Sequence, residues 1–320
     1  MRRVNHETAL PCDGPTLRPL LEARGLRKTL GGRVILHGVD LTCNAGEVLG
    51  LLGPNGAGKT TALRICYGYL TAEAGRVSIA GHDLATDGDR ARRQLGVCTQ
   101  DDTFDSDFTV RGNLQQAGRY FRPALPDLAT RIETLLERFG LMPFAEAKPE
   151  TLSGGYKRRL MIARSVVHAP RVVFLDEPTT GLDPQARVAV WELVRQLRDE
   201  GMAVVLTTHY MDEAAKLSDR LQVLQAGRVR AEGVPASVLG DVVGEHVLLL
   251  NDAAGDIEPA LQWCRERGVR PSRVLDHYHL ALDAAGLSAF IAGFPDLRYE
   301  VRPPTLDDLF LALSTESEDA

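Results

Sequence analysis

Long apolar runs are absent: no stretch of 18 or more apolar residues occurs in the 320-residue chain. A helix needs about 20 such residues to span a bilayer, so the sequence predicts no membrane-spanning segment. The chain begins with basic side chains but lacks an apolar core segment there, which argues against a secretory signal peptide. Prolines and a glycine between residues 11 and 19 predict that residues 1–20 form a flexible tail.

Cysteines are few and are not grouped. They are scattered along the chain and odd in number, namely Cys12, Cys43, Cys66, Cys98 and Cys264. This pattern provides neither a metal-binding pair nor a disulfide framework, and it favours a reducing cytosol. Basic charge is also in the minority, because the net charge is −6. The basic field typical of a nucleic-acid-binding protein is therefore missing, and we expect no nucleic-acid partner.

Segments with strand and helix patterns alternate from residue 21 to about residue 238, which predicts one nucleotide-binding domain over 21–238. Short apolar runs predict buried strands, and an amphipathic run after the first of them predicts a helix at 60–70. The predicted strands cover residues 47–52, 171–175, 203–206 and 221–224. Such alternation indicates an α/β fold with a mostly parallel sheet covered on both faces.

Two regions depart from this alternation. Residues 101–169 show helical spacing without strands, which predicts an α-helical insert. The composition changes after Pro235, and we expect a small α+β accessory domain at 240–315, followed by a tail at 316–320.

A glycine-rich loop follows the first predicted strand and opens the 60–70 helix. It consists of Gly53, Pro54, Asn55, Gly56, Ala57, Gly58, Lys59, Thr60 and Thr61, and it matches the P-loop pattern without deviation. In a P-loop, backbone amides wrap the phosphates of a nucleoside triphosphate and the lysine reaches the β- and γ-phosphates. The hydroxyl that follows the lysine, here Thr60, is a ligand of Mg²⁺.

Two carboxylates follow the predicted strand at 171–175. Asp176 is placed to hold Mg²⁺ through water, and Glu177 is placed to polarise the water that attacks the γ-phosphate. The alternative is a pair of surface carboxylates in a turn. A buried strand that leads directly into Asp-Glu-Pro favours the catalytic interpretation.

A second candidate anion site lies 94 residues beyond Lys59. Ser153, Gly154 and Gly155 open a helical run there, so a hydroxyl, bare amides and the positive end of a helix lie together. One nucleotide does not require two γ-phosphate sites in one chain. The simplest interpretation is that this turn covers the nucleotide held by a second copy of the protein.

Three polar residues at predicted joints are weaker candidates. Gln100 follows a short apolar stretch and is placed to contact Mg²⁺-bound water or the nucleophile. His209 ends the strand at 203–206 and is placed to bridge the γ-phosphate and the catalytic carboxylate. Taken singly, each is more often an ordinary structural residue. Asp183, in a sharp turn, lies either at a subunit contact or at a helix cap.

In combination and in this order, the motifs resemble the ATP-binding subunit of ATP-binding-cassette (ABC) transporters over about residues 20–235. GPNGAGKTT resembles the Walker A motif, VVFLDEP the Walker B motif and LSGGYKRRL the family signature. The resemblance implies a P-loop ATPase that uses ATP and Mg²⁺.

The resemblance also implies roles for single residues. Gln100 and His209 match the Q-loop glutamine and the switch histidine, which act with Glu177 as catalytic residues. The resemblance also assigns Thr60, Gln100 and Asp176 to the Mg²⁺ site.

The same resemblance implies a dimer. In a head-to-tail pair, Ser153, Gly154 and Gly155 of one copy meet the γ-phosphate that is bound to Lys59 of the other copy. Each copy then completes the nucleotide site of its partner.

Further segments are most similar to exporters of the ABC-2 type, and within them to nodulation-factor (lipo-oligosaccharide) exporter ATPases. They include FTVRGNL, EPTTGLDPQAR, THYMDEA and PTLDDLFLAL, and daunorubicin-type drug exporters share many of them. The resemblance implies a separate membrane permease as partner and a peripheral position on the cytoplasmic face of the cell membrane. Asp101, Asp102, Phe104 and Phe108 are candidates for the permease contact, and core packing is an equal alternative for the two phenylalanines.

One departure from the family pattern concerns the base. Relatives usually place an aromatic side chain near Leu30 to stack on adenine, but no Phe, Tyr or Trp occurs from Arg24 to Gly46. We therefore expect weaker ATP affinity and a looser base preference than in relatives with the aromatic residue.

Two other functions fit parts of the pattern. A soluble ABC-type ATPase that acts on DNA or ribosomes conflicts with the acidic charge, the single cassette and the short spacing between Lys59 and Ser153. A degenerate cassette with a regulatory role agrees with the missing aromatic residue, but Lys59, Asp176, Glu177 and His209 are all retained. The transported cargo, a lipo-oligosaccharide or a drug-like molecule, is not readable from this chain.

Overall fold

The structure is a computed structural model that describes residues 19–121, 123–251 and 256–318, with side chains up to residue 313. Most of the tail predicted at 1–20 lies outside these residues, as does Cys12. The four other cysteines are buried and form no disulfide. Within the described ranges, no helix is both long and apolar enough to cross a membrane.

Strands and helices alternate along most of the described chain. The strands are β1 (Leu21–Leu30), β2 (Arg33–Cys43), β3 (Val48–Leu52), β4 (Ala74–Ile79), β5 (His82–Asp83), β6 (Leu95–Cys98), β7 (Val172–Asp176), β8 (Ala203–Thr207), β9 (Arg220–Gln225), β10 (Arg228–Gly233), β11 (His246–Asn251), β12 (Ser272–Val274), β13 (His277–Leu282) and β14 (Tyr299–Arg302). The α-helices are α1 (Lys59–Cys66), α2 (Gly88–Arg93), α3 (Val110–Arg119), α4 (Leu128–Arg138), α5 (Gly154–Val166), α6 (Pro184–Asp199), α7 (Met211–Leu217), α8 (Pro235–Val242), α9 (Glu258–Glu266), α10 (Ala284–Gly293) and α11 (Leu306–Glu318). Two short 3-10 helices cover Met142–Phe144 and Pro149–Thr151.

Six strands form the central sheet in the order β10-β9-β3-β8-β7-β6. Five of them are parallel, and β10 pairs antiparallel with β9. Every residue of β3, β7 and β8 is buried, and alternate residues belong to two hydrophobic clusters on opposite faces. This double burial explains the unbroken apolar sequences. The α/β class is confirmed, as are the four predicted strands to within one or two residues.

A second, antiparallel sheet was not among the sequence predictions. Its order is β2-β1-β4-β5, and it packs on the face of the central sheet that also carries α1. The turn between β1 and β2 consists of Gly31 and Gly32, which both have positive φ. A Gly-Gly pair is typical of two-residue hairpins, so it is the signal that identifies this sheet.

The helices α3, α4 and α5 form a layer with no strand among the described residues of 101–169. The helix predicted around residues 131–140 buries its apolar stripe, because Ile132, Leu136 and Phe139 are almost inaccessible. α5 packs closely on β6: a Cβ atom on Gly96 would lie 2.0 Å from the carbonyl oxygen of Ser165. The helix that carries the Ser153 turn is therefore held against the strand that precedes Gln100.

The residues after 240 form a third sheet, in the order β12-β13-β11-β14. One of its faces packs with α9 and α10 around Phe290 in a separate small core. The other face joins α8 and α11 in a cluster that also contains Leu52 and Leu221 of the central sheet. The boundary at 240 stays a prediction, and α11 continues into the tail that was predicted at 316–320.

Candidate nucleotide-binding and catalytic site

The carboxyl ends of the parallel strands deliver the candidate site residues to one edge of the central sheet. β3 leads into the P-loop, where Gly53 and Gly58 have φ values of 150° and 106°. A Cβ atom on Gly53 would lie 2.2 Å from the carbonyl oxygen of Leu224, and one on Gly58 would lie 2.8 Å from a methyl carbon of Leu36. Both positions therefore require glycine for conformation and for space. A loop of this kind ahead of a helix N-terminus binds phosphate through backbone amides.

Lys59 lies inside this loop. Its side chain is buried, and its Nζ donates hydrogen bonds to the carbonyl oxygens of Gly53 at 2.6 Å and Pro54 at 3.1 Å. Burial lowers the pKa of this ammonium group, and the nearby carboxylates of Glu177 and Asp176 oppose that shift. The positive charge is thus fixed at the first turn of α1, where a P-loop places phosphates.

Asp176 ends β7 and is 6% exposed. Its carboxylate accepts a hydrogen bond from the Thr207 hydroxyl at 2.6 Å. Burial raises the pKa of Asp176, and the charge of Glu177 raises it further. A desolvated carboxylate of this kind gains from a nearby cation, and with the Thr60 hydroxyl it fits the oxygen chemistry of Mg²⁺.

No group of three or more His, Cys, Asp or Glu residues that could hold a metal occurs in the described part of the chain. Mg²⁺ in a triphosphate site takes one or two protein oxygens and completes its shell with phosphate oxygens and water.

Glu177 adopts a backbone conformation that is unusual for a residue other than glycine, with φ 48°. Its amide donates to the carbonyl and hydroxyl oxygens of Thr207, at 3.1 and 3.0 Å. Non-glycine residues in this region persist where the surroundings impose the conformation, and they are frequent at functional sites. Here the end of β8 imposes it, and the Glu177 side chain is directed into the cleft beside the P-loop.

A single oxygen of the Glu177 carboxylate, Oε2, collects three neighbours. It accepts a hydrogen bond from the Thr180 hydroxyl at 3.0 Å and one from Gln100 Nε2 at 3.4 Å. His209 Nδ1 lies 3.3 Å from the same oxygen. The structure therefore brings together Gln100, Glu177 and His209, which are far apart in the sequence.

These residues and the P-loop line one cleft of about 600 Å³. Its walls include residues 55–61 of the P-loop together with Gln100, Glu177, Thr180 and His209. This volume is within the range for sites that bind small molecules and cofactors. Ile35 of β2 lines the same cleft, whereas the side chain of Leu30 at the end of β1 is 41% exposed.

The turn at residues 152–155 lies elsewhere. Ser153 is the N-cap residue of α5, is exposed, and makes no side-chain hydrogen bond to its own helix. Ser153 and Gly155 line a separate cleft of about 280 Å³, and no residue of this turn lines the P-loop cleft. Gly155 is buried, because a Cβ atom there would lie 2.8 Å from the Cβ of Ala186 in α6. Within one chain, the structure does not bring Ser153 to the P-loop cleft.

Two open alternatives from the sequence receive partial answers. Asp183 accepts a hydrogen bond from the Ala186 amide at 2.9 Å and thus caps α6, as one interpretation expected. Phe104 packs against the core of the helical layer, with the Lys157 ammonium 5.9 Å from its ring centroid. Asp101 and Asp102 are exposed beside Gln100.

Sequence reasoning missed several residues that support the site. Thr207 holds both Asp176 and Glu177, and Thr180 contacts the Glu177 carboxylate. Glu213 is fully buried, and its Oε1 accepts hydrogen bonds from Thr179 at 2.8 Å and from the Trp191 ring nitrogen at 2.9 Å. Burial raises the pKa of Glu213. Thr179 and Thr180 lie close after the Asp176–Glu177 pair in the sequence, but a threonine near a carboxylate is too frequent to identify a hydrogen-bond partner.

Residues 36–180 match the family model described as ABC transporter. The P-loop cleft, the Asp176–Glu177 pair and the central sheet define the class of the protein, an ATP-binding cassette ATPase, and the chain belongs to the ABC transporter family. It therefore binds ATP and hydrolyses it, and the predicted family is confirmed.

Particular relatives specify the group further. Nod factor export ATP-binding protein I of Ralstonia nicotianae is 40% identical over 95% of this chain and 96% of that protein. The protein of the same name from Burkholderia lata is 40% identical over 92% of this chain and 96% of its own length. A solved structure of the ATP-binding subunit of an ABC transporter matches with a TM-score of 0.63 at 25% identity, over 86% of this chain and 99% of that chain.

Proposed function

We propose that this chain is the ATP-hydrolysing subunit of an ABC-2 type exporter, in which two copies close head to tail around two ATP molecules and drive a separate integral-membrane permease. The chain lies on the cytoplasmic face of the cell membrane as a peripheral subunit. The observation that carries the proposal is that the candidate phosphate-binding residues lie in two separate clefts. Lys59 and Glu177 line one cleft, whereas Ser153 lines another. In a dimer with twofold symmetry, the P-loop cleft of each copy faces the Ser153 turn of the other copy, so both nucleotide sites are completed in the same way.

The residues of the cleft divide the chemistry between them. The P-loop amides and Lys59 bind and orient the phosphates. Thr60 and Asp176 would hold Mg²⁺, which would supply charge neutralisation there. The Glu177 carboxylate accepts a hydrogen bond from the attacking water and polarises it. Gln100 and His209, which already contact the Glu177 carboxylate, orient that water and the γ-phosphate. The partner's Ser153 turn closes the site and excludes bulk water.

The permease contact is proposed at the exposed residues that follow Gln100. Asp101 and Asp102 are exposed there, and Tyr120 at the end of α3 is 83% exposed. A permease segment that docks on this face lies next to the residue that senses the nucleotide. The cargo is proposed to be a lipo-oligosaccharide, because the relatives are named Nod factor export proteins. A drug-like molecule is the alternative.

A mixing experiment tests the composite site. K59M and S153R chains are purified separately, and each is expected to hydrolyse almost no ATP. In a mixed dimer, the Lys59 of the S153R chain meets the Ser153 of the K59M chain, so one of the two sites is intact. Mixing equal amounts should restore up to about a quarter of the wild-type rate if the two sites act independently. If both variants fold and form the mixed dimer but the mixture stays inactive, the head-to-tail dimer is contradicted.

A second experiment tests transport against the regulatory alternative, which the aliphatic residue at Leu30 favours. The chain is co-expressed with candidate ABC-2 type permeases, and ATP hydrolysis of any complex is measured in detergent and in liposomes. We expect a stable complex whose hydrolysis requires Glu177. A complex that binds ATP but does not hydrolyse it supports a nucleotide-sensing role instead.

A further inference from the structure

Arg158 is a buried cation that the mechanism above does not use. It lies in α5, five residues after Ser153, and is 6% exposed. Its Nη1 donates to the carbonyl oxygen of Thr99 at 2.7 Å, and its Nη2 donates to that of Gln100 at 3.1 Å. A third contact joins Nη1 to the Cys98 sulfur at 3.6 Å. The side chain therefore connects the helix of the Ser153 turn to the residue that contacts the catalytic carboxylate.

The form of this contact favours positioning over simple packing. Burial of a cation is costly, and an apolar side chain of similar volume fills a core position at lower cost. No carboxylate forms an ion pair with Arg158 in the described ranges, so hydrogen bonds to backbone carbonyl groups compensate its charge. The planar guanidinium fork that spans two consecutive carbonyl groups fixes the orientation of the peptide between them. That peptide joins Thr99 to Gln100.

Among the described residues, other contacts connect the α5 region to the chain around β6, but none of them reaches Thr99 or Gln100: the Met161 sulfur accepts from Thr103, three residues beyond Gln100. The Ser165 carbonyl packs on Gly96, and the His168 ring contacts the Leu95 carbonyl oxygen at 2.8 Å. In the described part of the chain, the two side-chain hydrogen bonds from α5 to the backbone of residues 99 and 100 both come from Arg158. This guanidinium group is therefore the direct route by which a displacement of α5 reaches the Gln100 backbone.

We propose that Arg158 is a positioning residue for hydrolysis: it ties the backbone of Gln100 to α5 and so sets the Gln100 amide on the Glu177 carboxylate. The inference rests on the proposed head-to-tail dimer for its regulatory meaning. In that dimer, the partner's nucleotide engages Ser153 at the start of α5. The Arg158 contact then passes this engagement to the Gln100–Glu177 pair in the chain's own cleft.

A double-mutant cycle tests the proposal. R158M should lower kcat about tenfold or more at saturating ATP, because small misplacements of an orienting group have effects of this size. ATP affinity of the monomer should stay unchanged, and ATP-dependent dimerisation should persist in the E177Q background. In a Q100A background, R158M should change kcat by less than about twofold, because Arg158 acts through Gln100. R158K should restore only part of the rate, since an ammonium group lacks the planar fork.

The matched control is R131M. Arg131 also joins its guanidinium to backbone carbonyl oxygens of the α5 region, at Val166 and Val167, but at the far end of the helix from Gln100. R131M should lower the melting temperature and leave kcat unchanged. If R158M proves insoluble, R158Q takes its place in the cycle.

The outcomes separate the inference from the proposed function. An R158M protein with wild-type kcat, or one whose loss is equally large in the Q100A background, overturns the positioning role. A wild-type chain that hydrolyses ATP without forming a dimer, and still shows the Arg158–Gln100 coupling, contradicts the dimer and supports the positioning role.

Discussion

The P-loop cleft and the turn at residues 152–155 both offer groups suited to a phosphate, but their polar atoms are committed to different degrees. In the cleft, Lys59, Asp176 and Glu177 each have hydrogen-bond partners from the same chain. In the turn, Ser153 is exposed and its hydroxyl makes no capping bond to α5. In the proposed dimer, one half of the nucleotide site is thus organised before the partner arrives, and the other half presents its groups to the partner.

In the proposed head-to-tail dimer, this difference predicts that the two regions control different steps. Preorganised groups stabilise charge without reorganisation at the moment of reaction, so the cleft determines the rate of the chemical step. Groups on an exposed turn gain their contacts only on association, so the turn determines the affinity of the closed dimer. Substitutions in the two regions should therefore change different measured quantities.

The largest effect is expected in the cleft, for Glu177→Gln. The amide is nearly isosteric and keeps a contact with Thr180, but it no longer polarises water as a carboxylate does. We expect kcat to fall about 100-fold or more, while ATP still drives dimerisation. Single-turnover hydrolysis and analytical ultracentrifugation measure the two quantities. Glu192→Gln, an exposed change on α6, is the control; undiminished hydrolysis by Glu177→Gln would show that another group is the base.

The matching change in the turn is Ser153→Ala. Loss of one hydrogen bond to a charged phosphate costs about 1.5 kcal/mol, so ATP-dependent dimerisation should weaken about tenfold. ATP binding to the monomer, measured by calorimetry at low protein concentration, should not change. An equal loss of ATP affinity in the monomer would mean that Ser153 binds the nucleotide of its own chain. The cleft and the turn would then not belong to different halves of a shared site.

The two regions also differ in how far the sequence predicts them. The P-loop, Asp176 and Glu177 are contiguous motifs beside buried strands, so local sequence is sufficient to place them. The contacts around Glu177 Oε2 join residues 100, 177, 180 and 209, and only the strand order β8-β7-β6 brings them together. The antiparallel sheet escaped prediction because its strands are half-buried and interrupted by register shifts. Arg158 escaped because a buried arginine on backbone carbonyls resembles any other arginine of a helix.

The neighbouring residues Thr179 and Thr180 allow a catalytic contact to be compared with a structural one. Thr180 donates to the Glu177 carboxylate, whereas the buried Thr179 donates to Glu213. Thr180→Val should lower kcat about fivefold, which corresponds to about 1 kcal/mol for one hydrogen bond. Thr179→Val should instead lower the free energy of unfolding by about 1 kcal/mol or more, because it removes a partner of a buried carboxyl group. A Thr180→Val enzyme with normal kcat would show that Gln100 and His209 suffice to hold Glu177.

Contact with the nucleotide base is expected to depend on residues outside both regions. Leu30 is 41% exposed at the end of β1, so a larger ring has space there. Leu30→Tyr should tighten ATP binding to the monomer about fivefold, at the lower end of the range for base stacking. Preference for ATP over GTP should rise in the same titration. Leu30→Met, which adds no ring, is the control, and unchanged affinity in Leu30→Tyr would place the base elsewhere, with Ile35 as the nearer candidate.

The smallest effect is expected for Asp176→Asn, which tests whether the buried carboxylate of the cleft lowers the stability of the folded protein. Burial raises the pKa of Asp176 in the folded state, so the folded chain holds this proton more tightly than the unfolded chain. Stability is therefore lost as pH rises from the ordinary aspartate pKa through the raised one, and the loss persists at neutral pH. Asp176→Asn should raise the melting temperature of the nucleotide-free protein by about 2 °C at neutral pH, and the difference should shrink below the ordinary pKa.

Ser153→Ala should show no such pH-dependent gain, because its exposed hydroxyl is uncharged. An Asp176→Asn protein that is less stable at neutral pH would mean that the Thr207 and Lys59 contacts outweigh the burial of the charge, and that this half of the site is not organised at the expense of stability.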